Sequence, residues 1–217
     1  MSYLPNYEPK NGYYGQFSTD ALIELYFPNI NKGSCVEVGA ANGVRGSNTL
    51  FFEQKGWRAL CIEPNPEYWE YLEVRSETVC CACSDKEGDE VPFTVFNIGE
   101  KQIMSSLSGL KPDPRLIEEH GSLINESYEI GVKTRTLDNI LKEQGFPINI
   151  DFISIDTEGT ELDVLKGLDL SYWGVSLLVV ENNYNDPEIQ EYLEGFGYFK
   201  DARWKINDFY VKRDAWR

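Results

Sequence analysis

The chain holds one histidine, His120, among 217 residues, and that scarcity limits its metal chemistry. A zinc site draws on paired Cys-x-x-Cys or on nearby His and Cys together, and neither pattern is present. The five cysteines, Cys35, Cys61, Cys80, Cys81 and Cys83, fall in apolar runs that read as strands. A disulfide framework favours an even count in a shorter, loop-rich chain, so they read as buried reduced thiols. Basic residues are few: 20 Lys and Arg stand against 36 Asp and Glu, a formal charge of −16. So acidic a surface repels phosphate backbones and anionic lipids, and no dense Lys/Arg run offsets it. Neither nucleic acid nor a membrane is expected as a partner. No apolar run approaches the roughly 20 residues of a spanning helix. Met1 to Tyr7 carry neither the basic stretch nor the apolar run of a signal peptide, so a cytoplasmic location is expected. Internal repeats, low-complexity tracts and linkers are missing too.

What remains is an ordinary globular composition, 41% hydrophobic and 26% charged, at a length that fits one domain. Residues 1–32 read as an N-terminal arm and helix. The arm is rich in Tyr, Asn, Pro and Gly, and either packs on the domain surface or covers a ligand as a lid. Ser18 or Thr19 caps a helix over Asp20–Phe27 that stops at Pro28. From residue 33 to 217, strands and helices alternate. Strands are expected at Cys35–Val38, Arg58–Ile62, Thr78–Cys83, Asp151–Ile155 and Ser176–Val180. The helices between and after them are Asn48–Lys55, Pro66–Arg75, Leu137–Gln144, Glu161–Leu168 and Pro187–Gly195. An insertion at about 88–135 adds strands Val91–Asn97 and Tyr128–Arg135 and a helix Pro114–His120. A hairpin, Tyr198–Trp204 and Asp208–Lys212, joined at Ile206-Asn207, closes the chain. The alternation predicts an α/β, Rossmann-like domain, a doubly wound and mostly parallel seven-stranded sheet with a C-terminal antiparallel hairpin.

In such sheets ligands bind at the carboxyl ends of the strands, where the winding reverses. After the first strand comes Glu37-Val38-Gly39-Ala40-Ala41-Asn42-Gly43, whose small residues let the backbone approach a ligand. Asn48 follows at the next helix start, where it assists a ligand carboxylate or simply caps the helix. After the second strand comes Glu63-Pro64-Asn65, an acid placed to accept hydrogen bonds from ribose hydroxyls. Ser84-Asp85 after the third suits the exocyclic amine of adenine. Asp156-Thr157-Glu158-Gly159 and Glu181-Asn182-Asn183 follow the next two. Carboxylates at five strand ends point to one edge and to an adenosine-containing cofactor. A dinucleotide wants Gly-x-Gly-x-x-Gly around its pyrophosphate, which Glu37 would repel. The spacing here is instead Gly39-x-x-x-Gly43-x-x-Gly46, and no Tyr-x-x-x-Lys of a reductase occurs. An ammonium and a sulfonium suit acidic surroundings, which favours S-adenosylmethionine (SAM).

The sequence resembles the FkbM family of class I SAM-dependent methyltransferases. The resemblance runs from about Gly33 to Asn182 and rests on Val36–Gly43, Ser47-Asn48-Thr49, Cys61–Pro66 and Ala82–Asp85. It continues through Ser105-Ser106-Leu107, Thr134–Asp138 and Ile150–Glu161, and is most specific at Asp156-x-Glu158-Gly-x-Glu161 with Leu165-Lys166-Gly167. It implies methyl transfer to a hydroxyl of a small molecule, polyketide, lipid or glycan. Glu37, where many relatives carry Asp, is expected to act through the turn and nearby waters on the aminoacyl end of SAM. Gly39, Ala40 and Gly43 would touch its carboxylate and sulfonium end, Glu63 and Pro64 the ribose, and Ser84 and Asp85 the adenine. Asp156 and Glu158 are the candidate bases. Asp156, Glu181 and Asn182 also resemble the oxygen ligands of magnesium-dependent O-methyltransferases, a set that suits Mg²⁺. The aromatic residues near the chain ends fit a sugar acceptor. A non-catalytic SAM-binding module of the same fold is the alternative, and an NAD-dependent reductase ranks below it.

Overall fold

The computed structural model describes residues 10–98 and 107–213, so Ser105, Ser106 and the first nine residues of the arm lie outside the described residues. The described chain forms two compact units. The larger holds the residues up to Cys80, Pro147–Asp156, and everything from Leu170 onward; the smaller holds Cys81–Phe146 and Thr157–Asp169.

The larger unit is built on a seven-stranded sheet. Its parallel strands are β1 (Ser34–Val38), β2 (Arg58–Ile62), β3 (Glu77–Val79), β7 (Asn149–Ile155) and β8 (Gly174–Glu181). The hairpin β9 (Tyr198–Trp204) and β10 (Asn207–Lys212) adds antiparallel pairing, with β10 against β8. The order is β3-β2-β1-β7-β8-β10-β9. The chain therefore starts in the middle, winds outward to β3, and returns to lay β7 beside β1. That reversal is the switch point of a doubly wound sheet, as the alternation predicts. The strands read as near-continuous apolar runs because both faces are covered. Cys35, Ala59, Phe152, Leu177 and Val179 face one way, Val36, Leu60, Ile153, Leu178 and Val180 the other, and none is more than 2% exposed.

On the first face, α1 (Thr19–Tyr26) and α2 (Leu50–Gln54) meet the sheet through aromatic side chains. Phe152 sits at the centre, with Phe52 at 4.9 Å and Phe27 and Trp57 each at 6.1 Å between ring centroids. One face of α3 (Trp69–Leu72) presents Leu72 to Ala40 and Cys61.

Several boundaries differ from the sequence expectation, each for a local reason. Ser18 stands at the cap position of α1 but is left-handed, at φ 58°, and its side chain makes no cap bond. The second helix begins at Leu50 rather than Asn48, because the preceding residues are drawn under the sheet edge to Glu37. Pro66–Arg75 is a 3-10 turn, Pro66–Tyr68, followed by the single turn of α3; Asn65 caps it by accepting from the Glu67 amide. The hairpin turns at Lys205-Ile206, with Lys205 at φ 58°, and Asn207 is already in β10. The expected strand Thr78–Cys83 is two strands. Its first half is β3; its second half, β4 (Ala82–Cys83), belongs to the smaller unit. Of the cysteines, four are buried, but Cys80 is exposed.

The smaller unit carries a three-stranded sheet, β4-β6-β5, in which β5 (Gly88–Ile98) and β6 (Ile124–Arg135) pair antiparallel. Ala82, Phe93, Val95 and Val132 form its core. The expected insertion is thus an organised sheet. This unit also contains α4 (Pro114–His120), α5 (Leu137–Glu143) and α6 (Glu161–Lys166). Thr136 caps α5 by accepting from the Asn139 amide. Helix α7 (Glu188–Glu194) returns to the larger unit. No helix of the described residues is long and apolar enough to cross a membrane.

Removing the central ring tests this core. Phe152→Ala should cost about 3–5 kcal/mol in urea unfolding, the range for large-to-small aromatic changes, whereas Leu25→Ala should change stability by less than about 0.5 kcal/mol. Leu25 is 72% exposed, so equal effects would contradict the assigned core.

Candidate active site

Strand register decides which residues share the sheet edge. Ile62, Val38, Ile155 and Val180 stand in one row across β2, β1, β7 and β8. The residues that follow them, Glu63, Gly39, Asp156 and Glu181, therefore line the carboxyl edge on both sides of the switch point. Val79 pairs with Ile62, which adds Cys80 at the β3 end of the row. The Asp156 and Glu181 carboxylate oxygens lie within 4.8 Å of each other.

Glu63 is 5% exposed and accepts from the amides of Ala41 at 2.7 Å and Asn65 at 2.8 Å. Each oxygen holds one backbone partner, so each retains a lone pair for a ligand hydroxyl. Burial pushes this carboxyl up from the usual 4.5 to about 7; the two amides oppose the shift and Asp156 adds to it. The Trp69 indole donates to the Glu63 carbonyl at 3.2 Å, and half-buried Pro64 follows.

The turn after β1 is held from both sides. Gly39 and Ala40 donate their amides to the Ile62 carbonyl, and Gly39 and Gly43 take positive φ values of 85° and 72°. Ala41 is left-handed as well, at φ 46°, which aims its amide at Glu63. Asn42 folds the next residues by accepting from the amides of Val44 and Arg45.

Glu37 precedes the strand end by one residue. It lies within β1 and is 5% exposed. It accepts from the Asn48 amide at 2.6 Å and from the Ser47 and Thr49 hydroxyls at 2.7 Å each. Arg75 reaches it at 3.4 Å. Glu37 anchors the turn from beneath. Gly43 also has a packing duty, since a Cβ there would come within 2.7 Å of Leu72 and 3.0 Å of Arg75.

Asn48 does not cap α2. Its amide nitrogen donates to Ser154 Oγ at 2.9 Å, and its Oδ1 is buried without a donor. This oxygen is an acceptor enclosed by the protein. Glu63 suits a ribose diol, so the acceptors present in this unit fit SAM.

The described residues of the arm pack on this turn. Tyr14 accepts from the Gly46 amide, Tyr14 OH bonds Gln54, and Tyr13 OH donates to Glu24.

Asn182 does not join Asp156 and Glu181. Its Oδ1 accepts from the Asp186 amide, and its Nδ2 donates to the Asp186 carbonyl and to Asp208. Side chains alternate along a strand, so Asn182 turns to the face opposite Glu181 and clamps the hairpin.

Ser84 and Asp85 follow β4, not the third strand of the large sheet. Ser84 donates its amide to the Arg135 carbonyl, and its hydroxyl lies 3.3 Å from Asp85. Gly167 packs on that segment so closely that a Cβ would fall 2.2 Å from the Ser84 carbonyl. In the same unit, Glu161 caps the preceding loop by accepting from the amides of Thr157 and Gly159 and from the Thr157 hydroxyl. Gly159, at φ 119°, approaches the Lys111–Asp113 backbone too closely for any side chain. Between them Glu158 is held left-handed at φ 61°. Arg75, buried beside Glu37, belongs to no sequence motif.

With the geometry in place, comparison is informative. The model of the methyltransferase FkbM domain matches residues 37–203. The chain belongs to the FkbM methyltransferase family. A curated relative, methyltransferase sdnD of Sordaria araneosa, is 32% identical over 98 residues, a stretch spanning 38% of this chain and 38% of that protein. Among solved structures, the METTL16 methyltransferase domain is 12% identical, with a TM-score of 0.47, 90% of this chain and 65% of that one being covered. A precorrin-6y C5,15-methyltransferase from Geobacter metallireducens is 11% identical, with a TM-score of 0.45 over 95% and 92% of the two chains.

The raised carboxyl of Glu63 makes a pH prediction. The folded state holds this proton more tightly than the unfolded state, so its contribution to stability is complete below about 4.5 and lost as pH rises to about 7. Urea unfolding of the wild type should lose roughly 2–4 kcal/mol across that window relative to Glu63→Gln. Parallel pH profiles of the two proteins would refute the assignment.

Proposed function

We propose that this FkbM-family protein is an O-methyltransferase that transfers the SAM methyl group to a hydroxyl of a small molecule or glycan, a sugar being favoured. The observation that carries this reading is the edge row Glu63–Gly39–Asp156–Glu181 at the switch point of the sheet. SAM, when bound, supplies an electrophilic methyl group. Glu63 would hold the ribose, and Ser84 and Asp85 would serve the adenine. Transfer is an in-line displacement, so orienting the hydroxyl supplies much of the rate. The hydroxyl must also lose its proton, and Asp156 and Glu158 are the carboxylates assigned to take it. The left-handed backbone of Glu158 is the kind of local strain that clusters at functional sites. Aromatic residues, 13% of the chain, favour a sugar because ring faces stack on sugar rings. The working partner is thus a small-molecule or glycan acceptor, in the cytoplasm, without nucleic acid or membrane.

The close approach of Asp156 and Glu181 favours one variant of this reading, in which these two carboxylates would hold Mg²⁺, a Lewis acid that would lower the pKa of a hydroxyl. Asn182 has no part in it. A non-catalytic SAM-binding module would show the same cofactor site. The intact Asp156-Thr157-Glu158 segment favours the enzyme.

Calorimetric titration with S-adenosylhomocysteine tests the cofactor. Binding by the wild type and at least about tenfold weaker binding by Glu63→Ala are expected, each tenfold being 1.4 kcal/mol. Indifference to S-adenosylhomocysteine with binding of NADH would replace this reading with a reductase. Screening sugars, glycans and alcohols with labelled SAM then separates enzyme from module, and transfer unchanged by EDTA would remove the metal.

A further inference from the structure

The group that organises the turn is Arg75. It is 5% exposed and lies three residues beyond α3. Its guanidinium donates to the Gly43 carbonyl at 2.8 Å, to Ser47 Oγ at 3.1 Å and to Thr49 Oγ1 at 2.8 Å. It pairs with Glu53 at 2.5 Å and Glu37 at 3.4 Å. The planar fork of an arginine can satisfy all these acceptors at once; the compact head of a lysine cannot. Both ends of the Gly43–Thr49 segment are tied to one side chain.

We propose that Arg75 is the positioning residue of the cofactor site, which sets affinity for SAM by fixing the Gly39–Thr49 turn and cancelling the charge of Glu37. Three observations lead there. Glu37 is buried, and a buried carboxylate needs a cation or several donors. The hydroxyls that bind Glu37, those of Ser47 and Thr49, also accept from Arg75, so a single network runs from guanidinium to carboxylate through the turn. Finally, the stem of Arg75 packs directly on Gly43, where a Cβ would fall 3.0 Å from Arg75 Cγ. Through Glu37 the network also fixes the Asn48 amide, and with it the only described buried side-chain acceptor in this turn that lacks a donor. Arg75 touches neither cofactor nor acceptor in this scheme. Its effect is on binding, with the methyl-transfer step left alone.

The proposal rests on the reading of this turn as the SAM site, so the experiment separates the two. S-adenosylhomocysteine affinity is measured by calorimetry for wild type, Arg75→Lys, Arg75→Gln and Glu37→Gln/Arg75→Gln, at a temperature where circular dichroism shows each folded. Arg75→Gln should bind at least about tenfold more weakly, Arg75→Lys in between, and the double variant should recover part of the loss because no bare carboxylate remains. Arg75→Lys, which keeps the charge and loses the fork, remains as the test if Arg75→Gln does not fold. Once an acceptor is in hand, KM for SAM should rise while kcat changes by less than about threefold. Wild-type binding with unaltered affinity in the folded Arg75 variants would overturn the proposal alone. Absence of binding by the wild type would overturn the SAM reading itself.

Discussion

A buried ion pair between Arg75 and Glu37 lies under the turn on which the candidate site is built. An isolated charge in such surroundings is too costly to persist, and removing one member of a buried pair costs about 3–5 kcal/mol. Here the two charges also share hydroxyl partners, Ser47 and Thr49, so the pair cannot move without the turn. The interaction divides the acids of the site into two kinds. Glu37 is neutralised below the edge and shapes the backbone. Glu63 stands at the edge with only backbone amides as donors, and its raised carboxyl records how little compensates it.

Topology does the rest of the positioning. The return of the chain to β7 beside β1 sets Asp156 next to Gly39, and the parallel register carries the row on to Glu181. Neither acid needs a motif of its own to arrive there; both are simply the first residues past the ends of buried strands. The aromatic cluster around Phe152 holds these strands at fixed height, and the edge inherits that precision.

The FkbM motif is largely architectural when resolved into atoms. In Asp156-Thr157-Glu158-Gly159-Thr160-Glu161, Glu161 caps the loop, Gly159 admits a neighbouring backbone, and Gly167 admits the Ser84 carbonyl. These residues are fixed by close approach and hydrogen bonding.

The sequence by itself determined the alternation of strands and helices, the Rossmann-like winding, and the acids at Glu63 and Asp156. Apolar runs that end in polar residues encode both a buried strand and what its end presents. It also determined the family, because the motifs record close approaches that few residues tolerate. Only the tertiary structure decided that Glu37 is an anchor, since its partners Ser47, Thr49 and Arg75 are up to 38 residues away. The same holds for the division of Thr78–Cys83 between two sheets, for Asn182 facing away from Glu181, and for Asn48 as an acceptor. Each depends on which groups a side chain meets after folding, and local pattern carries no record of that. Arg75 is the clearest case: an ordinary charged residue in the sequence, it becomes the centre of the turn only once burial obliges every charge to find a partner.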